Sequence, residues 1–140
     1  MKILIAADGS SFTKKALAFV VTHPELLGSD GELVILNVQP PLPPRVSALA
    51  GSATVHDYYQ DEAAKVLGPI EEFLRQRQFR FTARWVVGQP ALEIVAAAQH
   101  DKAHMIVMGT HGHGLLGRTL MGSVAQKVVA ESPMPVLLAK

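Results

Sequence analysis

The sequence predicts an α/β fold: a doubly wound, five-stranded parallel sheet in the order 3-2-1-4-5, with helices on both faces. Three observations predict it. Short apolar runs alternate with stretches of helical period along the chain, as β-α-β-α-β-α-β-α-β, the pattern of parallel strands joined by crossover helices. The first, second and fourth runs are apolar on both faces, as central parallel strands are, whereas the third alternates and suits an edge. A glycine-rich stretch from Met108 to Val124 (M-G-T-H-G-H-G-L-L-G-R-T-L-M-G-S-V) follows the fourth run. In such sheets, ligand-binding loops lie at that end of the strands.

Lys2 to Ala7 (K-I-L-I-A-A) reads as a buried strand that ends at the turn Asp8-Gly9-Ser10. Phe12, Ala16, Phe19 and Val20 mark one face of the next helix, and Pro24 with Gly28 marks its exit. Leu33 to Val38 is the second strand, apolar apart from Asn37. Gln39 to His56, proline-rich and then small, is expected to be an irregular loop, with Pro40 to Gly51 a candidate lid. Helical period returns near Asp57 with Ala63, Val66, Leu67, Ile70, Phe73 and Leu74, and Pro69 should either kink this helix or restart it. Phe79 to Val87 alternates, with Phe79, Phe81, Ala83, Trp85 and Val87 on one face. A helix opens at Pro90, where the missing N–H does no harm, and runs through Ala98. Met105 to Met108 is the fourth strand, and Met121, Val124, Ala125 and Val128 mark the last helix. Ser132-Pro133 ends that helix, and Pro135 to Ala139 is the fifth strand.

At 140 residues the chain fits one domain, residues 1–140. With 49% hydrophobic and 18% charged residues the composition is that of a soluble globular protein, and no apolar run reaches membrane-spanning length. There is no cysteine, which excludes disulfides and thiolate metal sites, and no signal-peptide pattern, so a cytoplasmic protein is expected. A formal net charge of +1 is too balanced for a general nucleic-acid footprint. An anionic ligand must therefore be held locally.

The glycine-rich stretch describes a phosphate cradle. Glycines let successive N–H groups converge on an anion without a Cβ in the way, and a helix starting near Gly122 adds its positive end. In the predicted order the connections reverse between strands one and four, so Asp8 and Gly109 to Gly114 meet at one crevice. Asp8 is a candidate ligand residue there, although capping the next helix or shaping the turn is the commoner use of such a residue. The apolar last strand lacks the charges that protect a free edge, so a second copy of the chain is expected to cover Pro135 to Ala139.

These residues resemble a known family. G-T-H-G, nine residues, then G-S matches the G-x-x-G-x9-G-[S/T] signature of the ATP-binding universal stress proteins. The similarity extends to I-A-A-D-G-S, V-V-G-Q-P-A and P-M-P-V-L-L, and so spans the whole chain. The resemblance implies an adenine nucleotide alpha hydrolase-like fold, ATP or another adenine nucleotide as ligand with or without Mg²⁺, and a homodimer through the last strand. It also implies a regulatory role in stress response with no dedicated reaction. Carried over by position, Gly109, Gly112, Gly122 and Ser123 would hold ribose and phosphates, with Met108, His111 and Val124 beside them. Asp8 would face the ribose or a metal-bound phosphate, and Ala6 and Val38 would flank adenine. The chain departs from commoner family variants in having Ala6 where proline is frequent and His113 and Arg118 within the glycine segment.

Other readings stand beside these. His111 and His113 form a weak metal pair, better read as surface imidazoles, as are His23, His56, His100 and His104. H-G-H-G resembles the histidine signature of nucleotidyl-transferring relatives, but there it follows the first strand. Trp85 is in phase with its apolar neighbours and reads as core or interface, and Arg75, Arg77, Arg80 and Arg84 read as a solvated face. The first alternative function is a slow ATPase or phosphoryl-transfer enzyme using Asp8 and a divalent metal. It is not a P-loop enzyme, since no G-K-[S/T] is present. The second alternative is a dimeric scaffold with no nucleotide.

Overall fold

The computed structural model describes residues 1–112 and 121–140. Its strands are β1 (Lys2–Ala6), β2 (Glu32–Gln39), β3 (Phe81–Val87), β4 (Met105–Gly109) and β5 (Val136–Ala139). All pair in parallel, in the order β3-β2-β1-β4-β5, which is the expected 3-2-1-4-5 sheet. The helices are α1 (Ser11–Thr22), α2 (Pro44–Ala50), α3 (Ser52–Gln76), α4 (Pro90–His100) and α5 (Ser123–Glu131), with a short 3-10 turn at Pro24–Leu26.

Alternation within each strand divides the core in two. Ile3, Ile5, Leu33, Ile35 and Val107 face α1 and α3, where they meet Ala16, Val20, Leu67 and Leu74. Leu4, Val34, Leu36, Ile106 and Met108 face α4 and α5, against Ile94, Ala98, Ala125 and Val128. Burial on both faces is why these three central strands read as unbroken apolar runs. The edge strand β3 keeps its alternation: Phe81, Ala83 and Trp85 pack on the α1/α3 side and Val86 on the other.

Three expectations are corrected. The stretch from Gln39 to His56 is not an irregular loop, because α2 occupies Pro44–Ala50 and α3 begins at Ser52. Proline at the first helical position and the run Ser47-Ala48-Leu49-Ala50 favour a helix, but none of its residues is buried, so no apolar stripe betrays it. Gly51, at φ +86°, turns the chain between the two helices. Secondly, of the two options at Pro69 the restart does not occur: α3 continues through it, since apolar anchoring at Ala63, Leu67, Ile70 and Leu74 outweighs the lost backbone bond. Thirdly, Arg84 is not merely solvated: its Nη1 lies 2.7 Å from Oδ2 of Asp101, at the end of α4. Burial alone would raise the Asp101 carboxyl, but Arg84 and His100 outweigh it and hold the group below its usual range. Arg75 pairs with Glu72, and Arg77 lies over the Phe73 ring.

Trp85 belongs to the α1/α3 core, beneath His56 and Tyr59. Among the described residues no helix is long and apolar enough to cross a membrane. β5 is the other edge, and its four residues are all half-buried.

Candidate functional site

Five polar residues are buried among the described residues: Ser10, Thr13, Asn37, Gln39 and Thr110. All lie at or just beyond the carboxyl ends of β1, β2 and β4. Apolar packing has no use for polar groups, so their concentration at one end of the sheet marks where the fold is built for something else.

Asp8 follows β1 directly. Its Oδ1 accepts from the Ser10 N–H at 2.9 Å and from the Thr13 hydroxyl at 2.8 Å, while its own N–H donates to Thr13 Oγ1 at 3.0 Å. Gly9, at φ +80°, permits this turn, and the Ser10 hydroxyl caps α1. Asp8 therefore shapes the turn and also lines the cavity beyond it.

The segment after β4 approaches Asp8 closely. A Cβ on Gly112 would overlap Oδ2 of Asp8, and one on Gly109 would overlap Cβ of Phe12 on α1. Neither glycine has a positive φ, so close approach, not backbone freedom, demands them. The Thr110 N–H extends the ladder to Ala139 O at 2.8 Å. The Thr110 hydroxyl lies 3.0 Å from Nδ1 of His111, whose ring packs on Phe12.

Gly122 closes the loop. Its N–H donates to Thr110 O at 2.7 Å, which holds the start of α5 beside the end of β4. That amide is thus engaged and not available to an anion. The first helical bond runs from Gln126 N–H to Gly122 O, so the N–H groups of Ser123, Val124 and Ala125 have no partner within the helix. The positive end of α5 points at this spot, with no side-chain cap over it among the described residues.

These pieces surround a cavity of about 380 Å³ at the switch point between β1 and β4. Every candidate residue of the sequence reading lines it: Ala6 and Asp8 from β1 and its turn, and Val38 from β2. Met108, Gly109, His111 and Gly112 come from β4 and its loop, and Gly122, Ser123 and Val124 from the start of α5. Sequence reasoning missed Thr13, Thr110, Pro40, Pro90 and Ile94. A usable signal existed for Pro90: as the opening residue of the helix after β3, it had to fall at the carboxyl end of the sheet. His113, Gly114, Gly117 and Arg118 lie outside the described residues.

Asp8 is the one carboxylate on the cavity wall among the described residues. No group of three or more His, Asp or Glu side chains comes together there or elsewhere among them to hold a metal. His104 accepts a hydrogen bond from the Lys2 N–H, His23 stacks on Phe19, and His100 lies beside Asp101. The resulting arrangement is an apolar slot with a carboxylate on one side and helix amides on the other. It defines a doubly wound α/β protein with a crevice at its switch point, one wall of which carries helix amides.

Comparison with known proteins places the chain within that class. The model of the universal stress protein family matches residues 1–140, and the chain belongs to this family. A universal stress protein of Thermus aquaticus, from the 3′ region of a QAH/OAS sulfhydrylase, is 35% identical over 144 residues, covering 99% of this chain and 97% of that one. Among solved structures, protein MJ0577 superposes with a TM-score of 0.86 at 29% identity, covering 99% of this chain and 94% of that one. A universal stress protein crystallised in complex with cAMP superposes with a TM-score of 0.67 at 25% identity, covering 100% of this chain and 97% of that one.

Proposed function

We propose that the cavity binds ATP or another adenine nucleotide, with or without Mg²⁺, and that the protein acts as a regulatory, nucleotide-responsive member of its family in stress response rather than through a dedicated reaction. One observation carries this reading: the two close-approach glycines, Gly109 and Gly112, face the uncapped amides of Ser123 and Val124 across a single cavity. Ala6 and Val38 would flank the adenine, and Asp8 would face the ribose or a phosphate-bound Mg²⁺. Phosphates would lie between the Gly109–Gly112 segment and the start of α5, against the positive helix end. The role assigned to Gly122 is then to position the helix, since its N–H is engaged by Thr110. At about 380 Å³ the cavity falls within the range of small-molecule sites. The family relative crystallised with cAMP adds support.

Thr13 and Thr110 meet Asp8 and His111 on the wall, but both threonines are buried and engaged in shaping the turns, and we read the output as conformational rather than chemical. The rival phosphoryl-transfer reading rests on Asp8 alone. A single-turnover assay separates the two, because hydrolysis that disappears in Asp8→Ala would favour catalysis. We further propose a cytoplasmic homodimer through Pro135 to Ala139, on the strength of the apolar, charge-free edge of β5. Mass spectrometry of small molecules released from freshly purified, denatured protein tests the main reading. An adenine nucleotide at near-stoichiometric yield is expected, and protein that neither carries one nor takes up added ATP would overturn it.

A further inference from the structure

A second groove, of about 370 Å³, lies between the first turns of α4 and α5. Pro90, Ser123 and Val124 line both it and the nucleotide cavity, so the two adjoin at the start of α5. They differ in charge. Among the described residues the cavity wall carries no lysine or arginine, whereas the groove carries Lys127.

Lys127 stands one turn after Ser123 on α5, about 6 Å further along the axis and on the same face. Glu131 stands one turn beyond Lys127 and also lines the groove. Lysine four residues before glutamate is the weaker order for an ion pair on a helix, and these two do not pair. Lys127 is exposed and forms no ion pair with any described residue, so its ammonium is not committed to the protein.

A chain of phosphates that leaves the cavity past Ser123 therefore meets charge in a fixed sequence: the helix amides, then an ammonium, then a carboxylate. The opposite wall, from Pro90, Ala91 and Leu92, adds no charged side chain. The field of the helix end falls off within its first turn, so those amides serve the phosphate nearest to them and no other. A phosphate further along the groove needs Lys127.

We propose that Lys127 makes this protein prefer a nucleoside triphosphate to a monophosphate. The phosphate next to the ribose lies at the start of α5 in both ligands, and the terminal phosphate of the triphosphate enters the groove and accepts from the Lys127 ammonium. Glu131 sets the far limit, because a longer tail brings like charges together. This inference rests on the nucleotide reading above and adds to it the choice of tail.

Isothermal calorimetry of AMP and ATP on the full chain, in EDTA so that no metal shields the tail, measures that choice. The parent should bind ATP more tightly than AMP. Lys127→Gln should weaken ATP binding about five- to tenfold and leave AMP binding unchanged, while Lys127→Arg should keep most of the preference. The loss in Lys127→Gln should shrink at high salt, since the contact is exposed. Adenosine 5′-tetraphosphate should bind the parent no more tightly than ATP does, and should gain in Glu131→Gln. A Lys127→Gln protein whose ATP-to-AMP ratio matches the parent's would overturn the proposal. So would an equal loss for both nucleotides, which marks a structural effect, or a parent that binds the two alike. A parent that binds neither nucleotide would overturn the nucleotide reading together with this one, and AMP binding by the parent tells the two failures apart.

Discussion

Replacing Gly112 by valine probes the contact on which the nucleotide site depends. Among the described residues the added Cβ overlaps Oδ2 of Asp8, with the next nearest atom, Asp8 Cγ, at 3.6 Å. The overlap has two escapes. If the carboxylate turns, it loses the bonds that Oδ1 accepts from Ser10 N–H at 2.9 Å and from the Thr13 hydroxyl at 2.8 Å. Hydrogen bonds to a charged group contribute about 1.5–3 kcal/mol, so this escape is expensive. If the loop retreats instead, the segment from Gly109 moves away from the uncapped start of α5 and the phosphates lose one wall. Either response should lower ATP affinity by about ten- to a hundredfold. Gly112→Ala should show most of the effect, because the Cβ itself makes the clash. Isothermal calorimetry, read beside the melting temperature without nucleotide, separates lost binding from lost folding. A well-folded Gly112→Val protein that binds ATP as tightly as the parent would refute the reasoning and move the phosphates elsewhere.

Other substitutions test other parts of the argument. Gly68→Ala, in the interior of α3 with open space around the new Cβ, should raise stability by about 1 kcal/mol by denaturant unfolding and leave ATP binding unchanged. The Asp101 carboxyl is held below its ordinary 3.8 in the folded protein, so its contribution is present above that pH and lost as pH falls through the lowered value. The urea midpoint should therefore drop on acidification below about pH 4, less steeply in Asp101→Asn. Pro135 O and Ala139 O both face β4, as the bonds from Ile106 N–H and Thr110 N–H show, so the Leu138 N–H points to the free edge. Leu138→Pro should spare the ladder to β4 and, by light scattering at micromolar concentration, leave a monomer where the parent is a dimer. A parent that is itself monomeric would end the dimer proposal.

What the sequence made legible was whatever burial enforces. β1, β2 and β4 are covered on both faces, so their apolar runs announced both their existence and their central place, and β3 kept its alternation because only an edge strand needs one. α2 was hidden for the converse reason. None of its residues is buried, Leu49 is 85% exposed, and a helix without an apolar stripe leaves only propensity and a leading proline to read. The candidate site was legible through its glycines, but the reason for them was not. Gly109 and Gly112 read as residues that keep a Cβ away from an anion, whereas in the fold the Cβ each lacks would meet another part of the protein. They are required by Phe12 and Asp8, which lie a hundred residues away in sequence and adjacent only in the fold. Thr110 and Thr13 went unnoticed because a buried threonine has no local pattern, and its value lies in partners that no spacing discloses.

Asp8 shows why removing a residue and assigning it a ligand role are separate questions. Its Oδ1 organises the turn into α1, and its Oδ2 sets how near Gly112 can come, so Asp8→Ala would loosen the turn and the loop together whether or not the carboxylate touches a ribose. Weaker nucleotide binding in that variant would follow from either cause. Asp8→Asn is the cleaner probe, because its carbonyl can still accept from Ser10 and Thr13 while the negative charge is gone. If Asp8 met the nucleotide only through Mg²⁺, loss of the charge should reduce affinity in the presence of the metal and leave it nearly unchanged in its absence. If it met a ribose hydroxyl, the reduction should be alike in both conditions. A turn-forming role alone predicts no reduction in either. The three outcomes differ because charge, hydrogen bonding and backbone shape are three properties of one side chain, and only a substitution that changes one of them can say which the ligand reads.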